Sequence, residues 1–398
     1  MTPFQCRSLS SLVLRALEES GAATTWAQPG QTAESVAELS RLFTKERTSL
    51  GHDYLNDPAL AAAYLRYFLP VNLSKLQALF EELPQDTWKA SGDARFNVLD
   101  LGAGPGTGGL AILDWLHRGG HQSANLSVVA IDASKSALRE AQRLWKTYSR
   151  LAKINGPTLE TCEADLTPAF DGIVSERVRR TAHYDLIILA NCLNELFTNS
   201  PDPVEGRAKL VVDLLPLLKP SGTLMLLEPA LRQTSRELHL LRDRLLQEKR
   251  CTVYSPCLHE GNCPALVNPD DWCHEERGWE PPASIQEIDR EVGFIKDALK
   301  FSYLLLRTDG RTIAERSQQT FRMVSELRKL KGDTRAWLCN ELGRSEVGRL
   351  DRVKSEANSA WEDCQRGTIV RLEGITRKEG SSLSRIPEEG TVEIVRPI

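Results

Sequence analysis

The chain has 398 residues, 41% of them apolar and 26% charged, with a formal net charge of −4. That length is too great for one compact core and suits two or three units, while the composition is ordinary for a globular protein. The charge excludes a protein that coats nucleic acid over its whole surface, and no apolar run nears the roughly 20 residues of a membrane-crossing helix.

From the N-terminus, Met1 to Ser20 reads as an amphipathic helix with Leu9, Leu12, Val13, Ala16 and Leu17 on its apolar face. It lacks the continuous apolar stretch of a signal peptide. Glu18 and Glu19 speak against a mitochondrial presequence, so a cytoplasmic location is the default expectation. Residues 1–90 look helical. Between Leu55 and Leu83, Pro58 suits a first helical turn, Ala59–Phe68 follows, Pro70 should break the helix and Ser74–Leu83 resumes it.

From Arg95 the texture changes to short apolar strands separated by helices. Strands are expected at Asn97–Leu101, Ser127–Asp132, Glu160–Ala164, Asp185–Ala190 and Thr223–Glu228, with helices at Gly108–His117, Ser134–Ser149 and Ala208–Leu218. Alternation of this kind predicts an α/β fold with a doubly wound, mainly parallel sheet. A helix at Thr234–Arg250 leads into a Cys-, Pro- and Trp-rich segment. The apolar strand Phe301–Arg307 is then expected to return to the main sheet. From Phe301 to Lys354 there are 12 Lys/Arg against 7 Asp/Glu, which suits a nucleic-acid-facing surface or a solvated helical face of mixed charge. Arg366–Ile398 alternates well enough for strands at Thr368–Leu372 and Thr391–Arg396, a small β appendage. The expected organisation is a helical region over 1–90, an α/β domain over 91–308 with a cysteine-rich insertion at 251–282, and a basic region with the appendage over 309–398.

The sharpest local signal is FNVLDLGAGPGTGG (Phe96–Gly109). An apolar strand carries Asp100 near its end; Gly102, Gly104, Gly106 and Thr107 then make a tight turn into a helix. Glycines are needed where the backbone turns sharply and a ligand approaches it closely. An acid two residues before a G-x-G-x-G turn resembles motif I of class I methyltransferases more than the G-x-G-x-x-G of dinucleotide sites. The next strand ends in Asp132, where a ribose diol could donate two hydrogen bonds. Asp165, in CEADL, follows the third strand at the usual place for an adenine contact. These features point to an S-adenosylmethionine site.

The fourth strand runs into LANCLNEL (Leu189–Leu196), a loop at the sheet's carboxyl edge that would face the transferred methyl. Asn191, Asn194 and Glu195 are the candidate catalytic residues. The Asn/Asp-Pro-Pro-aromatic sequence of base N-methyltransferases is absent. Cys192 follows Asn191 rather than a proline, and a buried structural thiol is its expected role.

Nine cysteines do not form a disulfide framework; three crowd into Cys257–Cys273, with Cys251 just upstream. In a reducing compartment such a crowd reads as a metal site, with thiolates suited to zinc or to iron–sulfur clusters. The absence of a paired C-x-x-C weakens a zinc ribbon. His259 and His274 are near enough to count as ligands, and buried free cysteines are the plain alternative.

Across nearly the whole chain the sequence resembles the mitochondrial small-ribosomal-subunit methyltransferase-like family and its bacterial relatives. The resemblance rests on AELSRLFTKER, AYLRYFLPVNLSKL (Ala63–Leu76), LDLGAGPGTGGLA, the NCLNEL loop, SPCLHEGNCPAL, DWCHEE, KFSYLLLR and Arg322–Arg344. It implies a class I methyltransferase (Rossmann-like) fold, a role with the small ribosomal subunit and its rRNA in assembly or translation, and a [4Fe–4S] cluster. Carried over by position, the cluster ligands would be Cys257, Cys263, Cys273 and Cys339, with Cys251 and Cys364 competing for the fourth place. Glu356–Ile398 fits the family pattern poorly.

Three functions follow as expectations. The first is a methyltransferase acting on small-subunit rRNA, with the basic stretch from Arg307 to Lys354 on phosphates. The second is a non-catalytic RNA-binding assembly factor with a relict cofactor pocket. The third is a small-molecule methyltransferase with structural zinc. A monomer without membrane attachment is expected, and the mitochondrial matrix is the alternative location.

Overall fold

The structure is a computed structural model that describes residues 8–20, 29–47, 54–88, 95–121, 123–166, 178, 183–377, 379 and 382–398. The chain divides into two compact units, Met1–Leu231 with Arg277–Leu299, and Arg232–Glu276 with Lys300–Ile398.

The first unit begins with helices α1 (Ser11–Glu19) and α2 (Pro29–Thr44). Ser10 caps α1 by accepting from the Leu12 N–H, and Val13, Ala16 and Leu17 are buried as the apolar spacing requires. Residues 1–7 of the expected N-terminal helix lie outside the described residues. Asp57 caps α3 (Pro58–Ala63) by accepting from Ala59 and Leu60 N–H groups. Pro70 does not break the helix that follows. A π-helical turn over Tyr64–Phe68 leads directly into α4 (Leu69–Phe80), in whose first turn Pro70 sits. The wider turn makes room for a ring that would otherwise meet the carbonyl four residues back.

The sheet of this unit contains β1 (Phe96–Leu101), β2 (Leu126–Asp132), β3 (Thr158–Glu163), β4 (Tyr184–Ala190) and β5 (Leu218–Pro229) in the order β3-β2-β1-β4-β5. All neighbours are parallel, with Val98 opposite both Val128 and Leu186. Helices α5 (Thr107–Arg118), α6 (Lys135–Ala152) and α7 (Pro203–Leu214) connect the strands. The doubly wound parallel sheet is therefore present. Its central strands are near-continuous apolar runs, and Leu186–Leu189 and Leu224–Leu227 are fully buried, as covering both faces of a parallel sheet demands, whereas the edge strand β3 is polar and largely exposed. Helix α7 starts five residues before the expected position, because Asp202 caps it and Pro203 opens it. The strand order reverses between β1 and β4, where ligands bind in sheets of this kind. A further helix, Ala283–Val292, completes the unit.

The second unit opens with α8 (Arg232–Gln247) and β6 (Thr252–Ser255). After β7 (Glu275–Gly278), β8 (Ala298–Arg307) carries the expected FSYLLLR strand, which pairs antiparallel with β6. The basic segment beyond it is not helical. It forms β9 (Thr320–Met323), β10 (Arg328–Leu330), β11 (Asp333–Asn340) and β12 (Gly343–Leu350). The tail adds β13 (Ile369–Glu373), β14 (Thr376–Arg377), β15 (Leu383–Arg385) and β16 (Thr391–Arg396) to the same sheet, in the order β14-β15-β12-β11-β9-β13-β16, with β10 on β11. Phe321, Met323, Leu338, Val347, Trp361 and Val370 share one core, so the tail is built into this sheet. The Trp361 indole N–H donates to the Thr334 carbonyl at 3.2 Å.

Candidate functional site

Two places carry chemistry, one in each unit. In the first, Gly102 and Ala103 donate to the Ile131 carbonyl and tie the turn after β1 to β2. Asp132 then reaches back. Its Oδ2 accepts from the Gly104 N–H and its Oδ1 from the Ser134 N–H, both at 2.8 Å. Gly102, Gly104 and Gly106 all have positive φ, a region where only glycine sits without strain. A Cβ on Gly106 would stand 2.8 Å from the Ala141 Cβ, whereas one on Gly104 would meet none of the described residues within 4 Å. Among the described residues, Gly104 thus leaves room for the close approach of a ligand.

Asp100 serves the turn from beneath. It is 2% exposed and accepts the Gly109 N–H at 3.0 Å, and burial raises its pKa to about 7. Thr107 is buried as the first residue of α5. Asp165 lies exposed two residues beyond β3.

On the other side of the switch point, Asn191 holds φ +57 and donates its N–H to the Leu227 carbonyl at 2.7 Å. Asn194 and Glu195 form a short 3-10 turn. The Asn194 amide is committed at both ends, accepting from Arg47 and donating to Glu228. Arg207, 4% exposed, braces the loop by donating to the carbonyls of Asn194 (2.9 Å) and Leu196 (3.2 Å). Burial raises Glu228 to about 8. The Cys192 thiol is also pushed well up by burial, and it donates to the Leu101 carbonyl at 3.2 Å. Its Cβ would be 2.5 Å from one on Gly102, so Cys192 fills a structural niche.

No motif announces the aromatic wall beside this crevice. Phe43, Tyr54, Tyr64 and Phe68 pack edge-on or stacked, with centroids 5.1 to 6.4 Å apart. Burial raises Tyr64 to about 12, and it lies within electrostatic reach of Asp132 and Glu195. The π-helical turn sets Tyr64 in this place, and turns of that type often mark functional sites. Aromatic faces attract cations, so the wall suits a ligand that carries a positive centre. Asn56, which accepts from Ser136 at 2.6 Å, is another contact between the helical region and the start of α6 that the sequence did not suggest.

In the second unit, Cys257, Cys263, Cys273 and Cys339 line one cavity with His259 and His274. Cys251 and Cys364 do not line it; the Cys364 thiol donates to the Ala360 carbonyl at 3.2 Å. Burial raises Cys263 to about 12, followed by the neighbouring thiols of Cys257 and Cys273. Cys339 is also raised well above its ordinary value, by burial first and then by the other three. Neighbouring thiols thus contribute to the rise at Cys263, Cys273 and Cys339. Among the described residues, no group of three or more His, Cys, Asp and Glu side chains is arranged to hold a metal ion. The surroundings nonetheless fit an anionic group. Among the described residues, the buried Nε–H groups of Arg242 and Arg344 and the indole N–H of Trp272 have no hydrogen-bond acceptor, and such groups normally find one.

The positive excess from Phe301 to Lys354 is largely spent inside the fold. Arg307 pairs with Asp309, Arg316 with Glu260, Arg322 with Glu275, Arg328 with Glu346, Arg344 with Asp271, and Arg349 with Glu362.

The model of the family described as mitochondrial small ribosomal subunit Rsm22 matches residues 58–363, well over half of the chain. The chain belongs to the Rsm22 family. The match takes in the glycine turn, the Asn191–Glu195 loop and all four cavity cysteines, and it stops short of the last four strands. No curated protein sequence matches the chain. Among solved structures, it is similar to the plantazolicin methyltransferase BpumL in complex with SAH, with 16% identity, 75% of this chain and 100% of that chain covered, and a TM-score of 0.30. It is also similar to NSun6 from Pyrococcus horikoshii with SFG (13% identity, 56% and 50% covered, TM-score 0.31) and to a fibrillarin/Nop5p complex (14%, 60% and 82%, TM-score 0.30). At such TM-scores none of these likenesses bears on substrate or mechanism.

Proposed function

We propose that this Rsm22-family protein binds S-adenosylmethionine in the crevice of its first unit and methylates rRNA of the small ribosomal subunit. The observation that carries the reading is the room left at Gly104 by the described residues, beside Asp132, whose two oxygens organise the glycine turn at the end of β2, where a ribose diol would lie. The bound cofactor supplies an electrophilic methyl on a sulfonium. The chain's own residues supply binding, orientation and exclusion of water. Asp132 would hold the sugar, Asp165 the adenine edge, and Gly102, Gly104, Gly106 and Thr107 the close backbone approach. Asn191 and Glu195 would face the incoming nucleophile. Small-subunit association and the mitochondrial location draw support from the family's description. Among the described residues no helix is long and apolar enough to cross a membrane.

A second reading, an assembly factor that binds RNA without transferring a methyl, is favoured by the Asn194 amide, which Arg47 and Glu228 already occupy. Labelled donor incubated with immature small-subunit particles separates the two. Label in rRNA that disappears with Gly104→Arg supports transfer. Particle binding without label, in wild type and variant alike, supports the scaffold.

Cys257, Cys263, Cys273 and Cys339 are proposed as ligands of a [4Fe–4S] cluster, which would supply a rigid, redox-active link between distant segments. Support comes from the single cavity that the four cysteines line and from the buried N–H groups of Arg242, Trp272 and Arg344 that lack an acceptor among the described residues. A single zinc ion draws less support, because no three candidate side chains converge on one point among the described residues. A protein that absorbs broadly near ~400 nm after anaerobic purification would support the cluster. A colourless protein with stoichiometric zinc would refute it and revive the small-molecule methyltransferase.

A further inference from the structure

Metal loops in small domains usually depend on the metal for their shape. The Cys257–Cys273 loop is held differently. Along one side of α8, four polar residues reach its main chain. Arg236 donates to the carbonyls of Ala265 (3.1 Å), Leu266 (3.3 Å), Asn268 (2.7 Å) and Asp271 (2.7 Å). One turn on, His239 Nε2 meets the main chain of Cys273, 3.0 Å from its carbonyl and 3.2 Å from its N–H, bonding one or the other according to the tautomer. After another turn, Arg242 donates to the carbonyls of His259 (2.6 Å) and Gly261 (2.8 Å), and Asp243 accepts the Cys263 N–H at 2.9 Å.

None of these contacts involves a sulfur. Together they fix the backbone on both sides of Cys263 and at Cys273. Arginine forks are suited to gathering several carbonyls at once, because their donors are planar and fixed. Arg242 is fully buried, and the thiols of Cys257 and Cys263 lie within its electrostatic reach. Its Nε–H has no acceptor.

We infer that α8 is a template that keeps the cysteine loop in its ligating shape when no metal is present, and that Arg242 is the buried cation that offsets the charge of the bound thiolates. The inference rests on the cluster reading for its ligand but not for its test. The template lets metal leave and return without unfolding the loop. Arg242 stabilises the more negative, reduced state of whatever the thiolates hold, the usual effect of nearby positive charge and N–H donors on such a centre.

The test is hydrogen–deuterium exchange of the full chain after chelation, in wild type, Arg236→Ala and Arg236→Lys. Amides between Cys257 and Cys273 should stay protected in metal-free wild type. They should exchange at least about tenfold faster in Arg236→Ala, the equivalent of one lost hydrogen bond of ordinary worth, with partial recovery in Arg236→Lys. Exchange in β11 and β12 serves as the control for global unfolding. A loop that exchanges equally fast in metal-free wild type and Arg236→Ala would overturn the template. In the iron-loaded protein, Arg242→Gln should move the midpoint potential to more negative values, and an unchanged potential would overturn the role given to its charge. A native protein without iron would remove the cluster reading and the Arg242 role together, and the exchange result would still decide the template.

Discussion

The side-chain amide of Asn194 donates to the carboxylate of Glu228, which also accepts the Asn194 backbone N–H at 3.3 Å. A carboxyl at the end of β5 thereby holds the loop after β4. Glu228 is 2% exposed, and burial is the main cause that raises its pKa from the ordinary 4.5 to about 8. The sign follows from linkage. A carboxyl whose folded pKa is raised contributes stability that is complete below its unfolded value and is lost as pH rises through the folded value. Thermal stability should therefore decline between about pH 4.5 and pH 8. Glu228→Gln, which keeps the neutral form, should flatten that decline in a Tm series. A parallel decline in both proteins would place the loss elsewhere.

The glycine turn separates folding from binding. At Gly106, φ is +84 and a Cβ would press on Ala141 at 2.8 Å. Gly106→Ala should lower the stability by more than the roughly 1–2 kcal/mol of left-handed strain alone. Gly104→Arg instead meets none of the described residues at its Cβ, and should abolish cofactor binding while costing little beyond that strain. Paired melting curves and calorimetric titrations read the contrast; equal losses of stability in the two variants would argue against it.

Among the cysteines, Cys339→Ser should strip iron from the protein, and Cys364→Ser should leave the iron content unchanged. Cys339 shares the cavity with three other thiols, whereas Cys364 is tied to Ala360 within the core of the second unit. Iron analysis of the two purified variants checks this, and equal iron in both would exclude Cys339 as a ligand.

Because most arginines between Phe301 and Lys354 are paired within the fold, rRNA binding by this segment should depend less on salt than its composition suggests. Lys329 and Lys331 are exposed. Each lysine that touches phosphate should lower the log–log salt slope by about 0.7 when replaced by alanine. Filter binding to small-subunit rRNA across a salt series measures the slope, and an unchanged slope in both variants would remove the segment from the interface.

The parallel sheet and the glycine turn were legible because their signals are local: apolar runs, a glycine triplet and an acid at a strand end. The cysteine crowd was equally visible. Pro70 misled because a π-helical turn, which no residue type announces, absorbs it. The strands from Thr320 to Leu350 were hidden by arginines that read as a solvated surface. Their partners, such as Asp271 for Arg344 and Glu275 for Arg322, lie far away in sequence. The same distance hid Arg47 and Glu228, which meet at Asn194, and the aromatic wall of Phe43, Tyr54 and Tyr64. Contacts of this kind exist only once the chain has folded.

The most direct test of the account is calorimetric titration of S-adenosylmethionine into wild type and Asp132→Ala. Saturable one-to-one binding should appear in wild type. It should weaken about 100-fold or more in the variant, as expected when charge-assisted hydrogen bonds to a sugar diol are lost. No binding to wild type, or equal binding to both proteins, would contradict it.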